Sequence, residues 1–446
     1  MMRRALAVVA LVLLAALAWA MAAWPRAEFI PARSPQAWAP TPHNIARGAY
    51  LARAGDCIGC HTARGGAPYA GGRTLDTPFG RLVGPNLTPD PATGLGAWSA
   101  DDFWNALHNG IGRDGRLLYP AFPYTHTTRV TRDDADALYA WLRTLAPVRQ
   151  PNRPHALRFP YDSQLALAAW RLLYFRPGVH VDDAARPPAW NRGAYLVEGL
   201  GHCSACHSTR NLLGGSGGGL SGGVMPVSGW YAPSLTSSRE AGLGQWDVPH
   251  IVQLLQTGVS PQGAVFGPMA EVVGQSLQHL SEPDLRAMAV YLKSLPPAQA
   301  PLPPAPPPAE AVMQLGAQLY DKHCADCHGA DGRGAGNNVG NKLGNNVGNN
   351  AGNGPGSPGG TAYPPLAGNR ALTMTEPVNA VRIVLNGGFP PSTAGNPRPY
   401  GMPPFSPVLN DAEAAAVVSY VRASWGNAAP AVTAAQVNRY RAVPLD

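Results

Sequence analysis

Apolar positions recur with a helical period in three well-separated places along the chain. In TRDDADALYAWLRTL the residues Leu138, Trp141, Leu142 and Leu145 fall on one helical face. In SEPDLRAMAVYLKSL, Leu285, Met288, Leu292 and Leu295 do the same. NDAEAAAVVSYVRASW is the third such segment. Thr131, Ser281 and Asn410 stand where N-caps belong, Glu413 completes a capping box with Asn410, and Pro283 suits a first turn. Shorter helix-like segments, NIARGAYLARAGDC, NRGAYLVEGLGHC and QLGAQLYDKHC, lie upstream of each. Every one of them carries a glycine followed within a few residues by Tyr or Leu. A glycine there lets another helix approach closely while the larger side chain fills the gap beside it. The pattern predicts three copies of one module, an early helix packed across a late one.

Two stretches break this periodicity. Ala5 to Trp24 is 20 residues without a charge behind Arg3 and Arg4, enough to span roughly 30 Å as a helix. It reads as an uncleaved membrane anchor, with a cleavable signal peptide as the competitor; either way the rest of the chain is exported. Residues 151–189 contain LALAAWRLLYF, an apolar helical stretch whose default is to pack on a domain, with a partner or the bilayer surface as alternatives.

Composition adds the joins. Gly numbers 51 and Pro 47 of 446 residues, and charged residues are only 14%, as in small loop-rich domains. PPAQAPLPPAPPPAE is a semi-rigid proline linker, and the Asn/Gly-rich run 332–360 is a low-complexity loop insertion. The predicted organisation is all-α, three tandem domains of one kind after an N-terminal transmembrane helix: 1–28 anchor or signal segment, 40–150 first domain, 151–189 linker, 190–296 second domain, 297–309 Pro-rich linker, 310–427 third domain, 428–446 tail. The formal charge of +7 is mild and gives no support to nucleic-acid binding.

The cysteines carry the chemistry. All six lie in CIGCH, CSACH and CADCH: Cys57 and Cys60 before His61, Cys203 and Cys206 before His207, Cys324 and Cys327 before His328. C-x-x-C-H is the attachment site of c-type haem, two thioethers and a proximal histidine. Zinc knuckles or redox dithiols compete for one such motif, but not for three that consume every cysteine and each carry the histidine. Three covalently bound haem c groups are expected, and an early and a late helix around each motif is the arrangement of three tandem class I cytochrome c domains. The opposite face of each iron needs its own ligand, in electron-transfer cytochromes usually methionine. Met269 lies 62 residues beyond His207, and Met402 lies 74 beyond His328. At 61 residues beyond His61 the equivalent loop YPAFPYTH holds Phe122, which has no donor atom. The first haem therefore takes His126, takes His108, or stays open.

Several longer stretches, CHTARGGAPYAGGRTLDTPFGRLVGPNLTPDPATGLGAW, DGRLLYPAFPYTH, WNRGAYLVEGLGHCSACHSTRNLLG, YPPLAGNRAL and NPRPYGMPPF, together resemble the membrane-bound triple-haem cytochrome c subunits of periplasmic dehydrogenases. The resemblance covers nearly the whole chain after the anchor. It implies the haem-attachment residues above and axial Met269 and Met402. It also implies a catalytic partner: a quinoprotein alcohol dehydrogenase, a flavoprotein sugar or gluconate dehydrogenase, or a molybdenum hydroxylase of the nicotinate, isoquinoline or aldehyde type. The loop usually reads YPAMPY in the alcohol and sugar branches, and YPAFPYTH looks more like the molybdenum-hydroxylase form. The expected function is electron transfer from that partner to ubiquinone or an oxidase at the periplasmic face of a bacterial inner membrane, without catalysis of its own. The alternative is a haem peroxidase or reductase acting through an open first haem.

Overall fold

The fold is given by a computed structural model that describes Leu11 and residues 33–217, 219–237, 242–298, 305–334 and 363–441. The chain divides into two compact units. The first runs through Asp182 and adds Glu198–His202 and Arg210–Ser216; the second takes Asp183–Val197, Cys203–Thr209 and the chain from Gly217 onward.

In the first unit, α1 (Pro42–Ala54) starts where Thr41 accepts a hydrogen bond from Asn44 N at 3.2 Å. A hairpin follows, β1 (Thr74–Thr77) antiparallel to β2 (Gly80–Val83), with β3 (Ala156–Leu157) on the other edge of β2. α2 (Ala100–Asn109) opens on a Ser99/Asp102 capping box and stops at Gly110, φ 61°. α3 (Arg132–Leu142) is capped by Thr131, as its sequence requires. α3 crosses α1 so closely that a Cβ on Gly48 would overlap the Ala137 carbonyl and lie 2.6 Å from Trp141 Cβ. Leu51, Phe103, Trp104, Leu107, Leu138 and Leu142 form the core at this crossing, each worth about 1.5–3 kcal/mol in removal from water. α4 (Gln164–Tyr174), the apolar linker stretch, buries Leu167, Ala168 and Arg171 and leaves Leu165 and Leu173 exposed. Its inner face packs on this unit.

The second unit repeats the crossing twice. α5 (Pro188–Tyr195), α6 (Val248–Thr257), α7 (Pro268–Gln275) and α8 (Glu282–Ser294) surround the second cysteine motif. Two small hairpins accompany them, β4 (Gly223–Val224) with β5 (Tyr231–Ala232) and β6 (Val259–Ser260) with β7 (Gly263–Ala264). α9 (Glu310–His323), α10 (Arg370–Thr373), α11 (Val378–Asn386), α12 (Asp411–Ala423) and α13 (Ala434–Arg441) surround the third. Gly193 of α5 meets the Ala287 carbonyl and Tyr291 of α8; Gly316 of α9 meets the Ala416 carbonyl and Tyr420 of α12. The glycine, the carbonyl and the aromatic four residues after that carbonyl recur in all three crossings.

The first two crossings share a second device. Arg47, just before Gly48, donates to Asp134 Oδ1 at 2.6 Å, and Arg192, just before Gly193, grips Asp284 with two bonds of 2.8 and 2.7 Å. In the third, Leu315 replaces the arginine and Glu413 closes a capping box with Asn410 instead. A paired carboxylate at the start of the late helix also suits its dipole. Gly193→Ala should cost about 1–3 kcal/mol by overpacking, read as a lower denaturation midpoint with unchanged slope. Gly274→Ala, whose new methyl would meet Pro391 at an ordinary 3.6 Å, should be neutral or stabilising. Equal stability of the two variants would contradict the crossing.

The expectation of an all-α chain with a transmembrane helix is corrected. Among the described residues no helix is long and apolar enough to cross a membrane, and seven short strands are present. The strands were illegible because runs of two to four residues are too short to show a period of two. The anchor segment 1–28 apart from Leu11, most of the Asn/Gly-rich run 332–360, residues 299–304 of the proline linker and the last five residues lie outside the described residues.

Candidate functional site

The three C-x-x-C-H stretches fold into similar tight turns. Cys57–His61 is a short helix entered through Asp56 in the left-handed region, φ 46°. Cys203–Ala205 is a 3₁₀ turn entered through His202, φ 35°, and Ala325–His328 is again helical. Cysteines three apart in such a turn lie on the same side.

Each histidine is fixed by one long-range bond. Nδ1 lies 2.8 Å from Pro85 O in His61, 2.6 Å from Pro233 O in His207 and 3.2 Å from Pro364 O in His328. A carbonyl only accepts, so Nδ1 carries the hydrogen and the ring lone pair sits on Nε2. Burial lowers all three below the usual imidazole range, opposed by the proline carbonyls; in His207, pushed down to about 4, the charge of Arg370 adds to the effect. Three neutral imidazoles of fixed tautomer are what a metal ligand requires.

The thiols fit thioether formation better than the competing chemistries. Burial pushes Cys57 and Cys203 up to about 12, with Asp56 and Cys60 adding for Cys57 and Cys206 adding for Cys203; Cys324 rises to about 11 through burial and Cys327. Such raised values argue against a reactive redox dithiol, which acts as a thiolate. Among the described residues, no group of three or more His, Cys, Asp and Glu side chains is placed to hold a metal ion. Two cysteine sulfurs for thioether bonds and one imidazole of fixed tautomer in each turn match what covalent haem c attachment needs.

The loops that carry the expected second ligands differ. Met402 is stitched to the end of α11: its N donates to Gly388 O at 2.8 Å and its O accepts from Gly388 N at 3.0 Å. Gly387, φ 66°, lies against the Met402 carbonyl, where a side chain has no room. Met269 stands in the first turn of α7, after Pro268 and beside Gly267, whose φ of 57° brings it against the Trp230 ring. In the first unit Phe122 packs on the hydrophobic core. His126 follows in the short helix Tyr124–Thr127, with Nδ1 3.0 Å from Thr125 Oγ1. It is pushed down to about 3, by burial first and then by His202, Arg210 and Arg129. His108, on α2, instead stacks on Trp104 at 4.6 Å and bonds Thr128 O at 2.9 Å, which ties it to the core.

Sequence reasoning missed Pro85, Pro233 and Pro364. Their signal is a small internal repeat: Pro85-Asn86-Leu87, Pro233-Ser234-Leu235 and Pro364-Pro365-Leu366 each follow their histidine, by 24, 26 and 36 residues.

Residues 45–146 and 313–425 match the cytochrome c family. The chain is 38% identical to the cytochrome c subunit of a quinone-dependent alcohol dehydrogenase of Gluconobacter oxydans, over 89% of this chain and 82% of that one. It is also 38% identical to the cytochrome c subunit of the gluconate 2-dehydrogenase of Pantoea cypripedii, over 88% of each. A subunit of the nicotinate dehydrogenase of Pseudomonas putida is 39% identical over 89% of this chain and 32% of its own length. The chain belongs to the family of dehydrogenase cytochrome c subunits, electron-transfer proteins whose cytochrome c domains hold haem c covalently.

Proposed function

We propose that the chain holds three haem c groups, on Cys57, Cys60 and His61, on Cys203, Cys206 and His207, and on Cys324, Cys327 and His328. It passes electrons from the catalytic subunit of a dehydrogenase to ubiquinone or another respiratory acceptor. The observation that carries this reading is the threefold recurrence of a C-x-x-C pair in a tight turn beside a histidine whose Nδ1 is bonded to a proline carbonyl. Bound haem supplies a reversible one-electron iron couple. The protein's part is to fix Nε2, keep water from the crevice and supply the second axial atom. Met269 and Met402 supply thioethers, and His126 supplies the first site with an imidazole that its buried surroundings keep neutral. The first haem then has the lowest potential and is the entry point.

The names of the relatives support a dehydrogenase as donor. The loop YPAFPYTH favours a molybdenum hydroxylase. The basic start MMRR before an apolar run supports export to the periplasm. An enzyme working through an open first haem is disfavoured, since these relatives include chains named as the cytochrome c subunits of dehydrogenases.

Haem quantified per purified chain should be three. Near-infrared magnetic circular dichroism should show two methionine-ligated haems and one bis-histidine haem, with no rapid carbon monoxide binding by the ferrous protein. Two haems per chain would remove the proposal for one motif, and stoichiometric carbon monoxide uptake would remove His126.

A further inference from the structure

Arg370 opens α10, in the third module, yet it is set against the second. Its helix cap, Asn369, lies against Gly263 of β7, where a Cβ would come within 3.3 Å of the Asn369 amide. The guanidinium is 5.7 Å from the ring centre of buried Trp246. Nη1 is sealed from solvent without a hydrogen-bond partner, and no carboxylate forms an ion pair with Arg370 among the described residues. Burial alone pushes it down to about 10, and its charge reaches His207. Withdrawing a guanidinium from water without a counter-charge is costly. An arginine placed this way is missing an anion.

The surrounding contacts hold this part of the third module on the second. Asn379 of α11 grips the Tyr231 backbone, accepting from its N at 2.9 Å and donating to its O at 2.7 Å, two residues before the Pro233 that fixes His207. Arg382 lies over the Trp230 ring at 4.8 Å, and Pro391 fills the space beside Gly258.

We propose that Arg370 is the counter-ion of the propionate carboxylates of the haem on Cys203, Cys206 and His207, so that the third module completes the second haem's site. The proposal rests on haem attachment at that motif. Its physical content is a pre-placed positive charge that favours the reduced state of one particular haem.

The test is potentiometric titration of the full-length, haem-loaded chain, resolved into three one-electron steps. The second haem's step is identified as the one displaced by Met269→His; if that variant moves none, it is the step absent from Cys203→Ser/Cys206→Ser. Arg370→Gln should shift that step at least tenfold against reduction, 59 mV for one electron, and leave the step displaced by Met402→His in place. Arg370→Lys keeps the charge and should shift it less than threefold. Asn379→Ala, which loosens the grip on Tyr231, should move the same step in the same direction by less, and serves if Arg370→Gln fails to accumulate. Unchanged potentials in Arg370→Gln, or a shift at the third haem instead, overturn the assignment. A haem count of two with no haem on Cys203 and Cys206 would be a failure of the attachment reading, recognised before any titration.

Discussion

Met402→His should lower the midpoint potential of one haem by on the order of 0.2 V, a fraction of the roughly 0.8 V that axial ligands command. The other two steps should stay where they are. Imidazole is the stronger donor and stabilises ferric iron, whereas a thioether favours ferrous. The loop should tolerate the exchange because it is held through its backbone: both hydrogen bonds between Met402 and Gly388 are main-chain bonds that a histidine at 402 can keep. Phe405 N to Val384 O and Ser406 N to Leu385 O, both 3.0 Å, extend the seam along the end of α11. The change at one haem amounts to about three powers of ten in its reduction constant, at 59 mV per tenfold. That would turn the third haem from an acceptor of electrons into a barrier, and acceptor reduction by the complex should slow accordingly. Potentiometry of the purified variant decides it. Three unmoved steps would remove Met402 from the iron.

Much of this arrangement was legible in the sequence, for reasons specific to each feature. The cysteine turns are local, so their spacing alone carries the chemistry. The helix starts at Thr131, Ser281 and Asn410 are local too, and each cap accepts the backbone hydrogen bond its position calls for. The glycines of the three early helices were readable because only a close crossing demands one repeatedly at that place.

The features that sequence does not disclose are long-range. No rule of spacing relates His61 to Pro85 or His207 to Pro233, since the loop between them is free to vary; only comparison of the three copies exposes the shared Pro-x-Leu. Arg370 is invisible for a stronger reason. Its sequence neighbours, Asn369 and Ala371, belong to the third module, while Trp246 and Gly263 belong to the second. Nor does local sequence separate Arg47 and Arg192, which clamp the late helix, from any exposed arginine. The membrane span is a different matter, since all its residues but Leu11 lie outside those described and no described helix is long and apolar enough to cross a membrane.

His126→Ala should open the first haem. In the parent chain the ferrous protein should ignore carbon monoxide; in the variant it should bind one equivalent per chain, with a high-spin contribution appearing in the spectrum. The geometry gives the reason. His126 stands in the four-residue helix after Phe122, its N held to Pro123 O at 2.8 Å, and burial keeps the ring uncharged far below neutral pH, so its donor electrons are available to iron at any physiological pH. Phe122 itself, half-buried against the core, has no donor atom to take the place of the imidazole, which should leave the variant receptive to small uncharged ligands. His108→Ala separates ligation from packing. It removes the ring stacked on Trp104 and bonded to Thr128, which should lower stability by about 1–3 kcal/mol while leaving carbon monoxide binding absent. If instead His108→Ala opens the site and His126→Ala does not, α2 provides the ligand and the loop YPAFPYTH serves only to cover it.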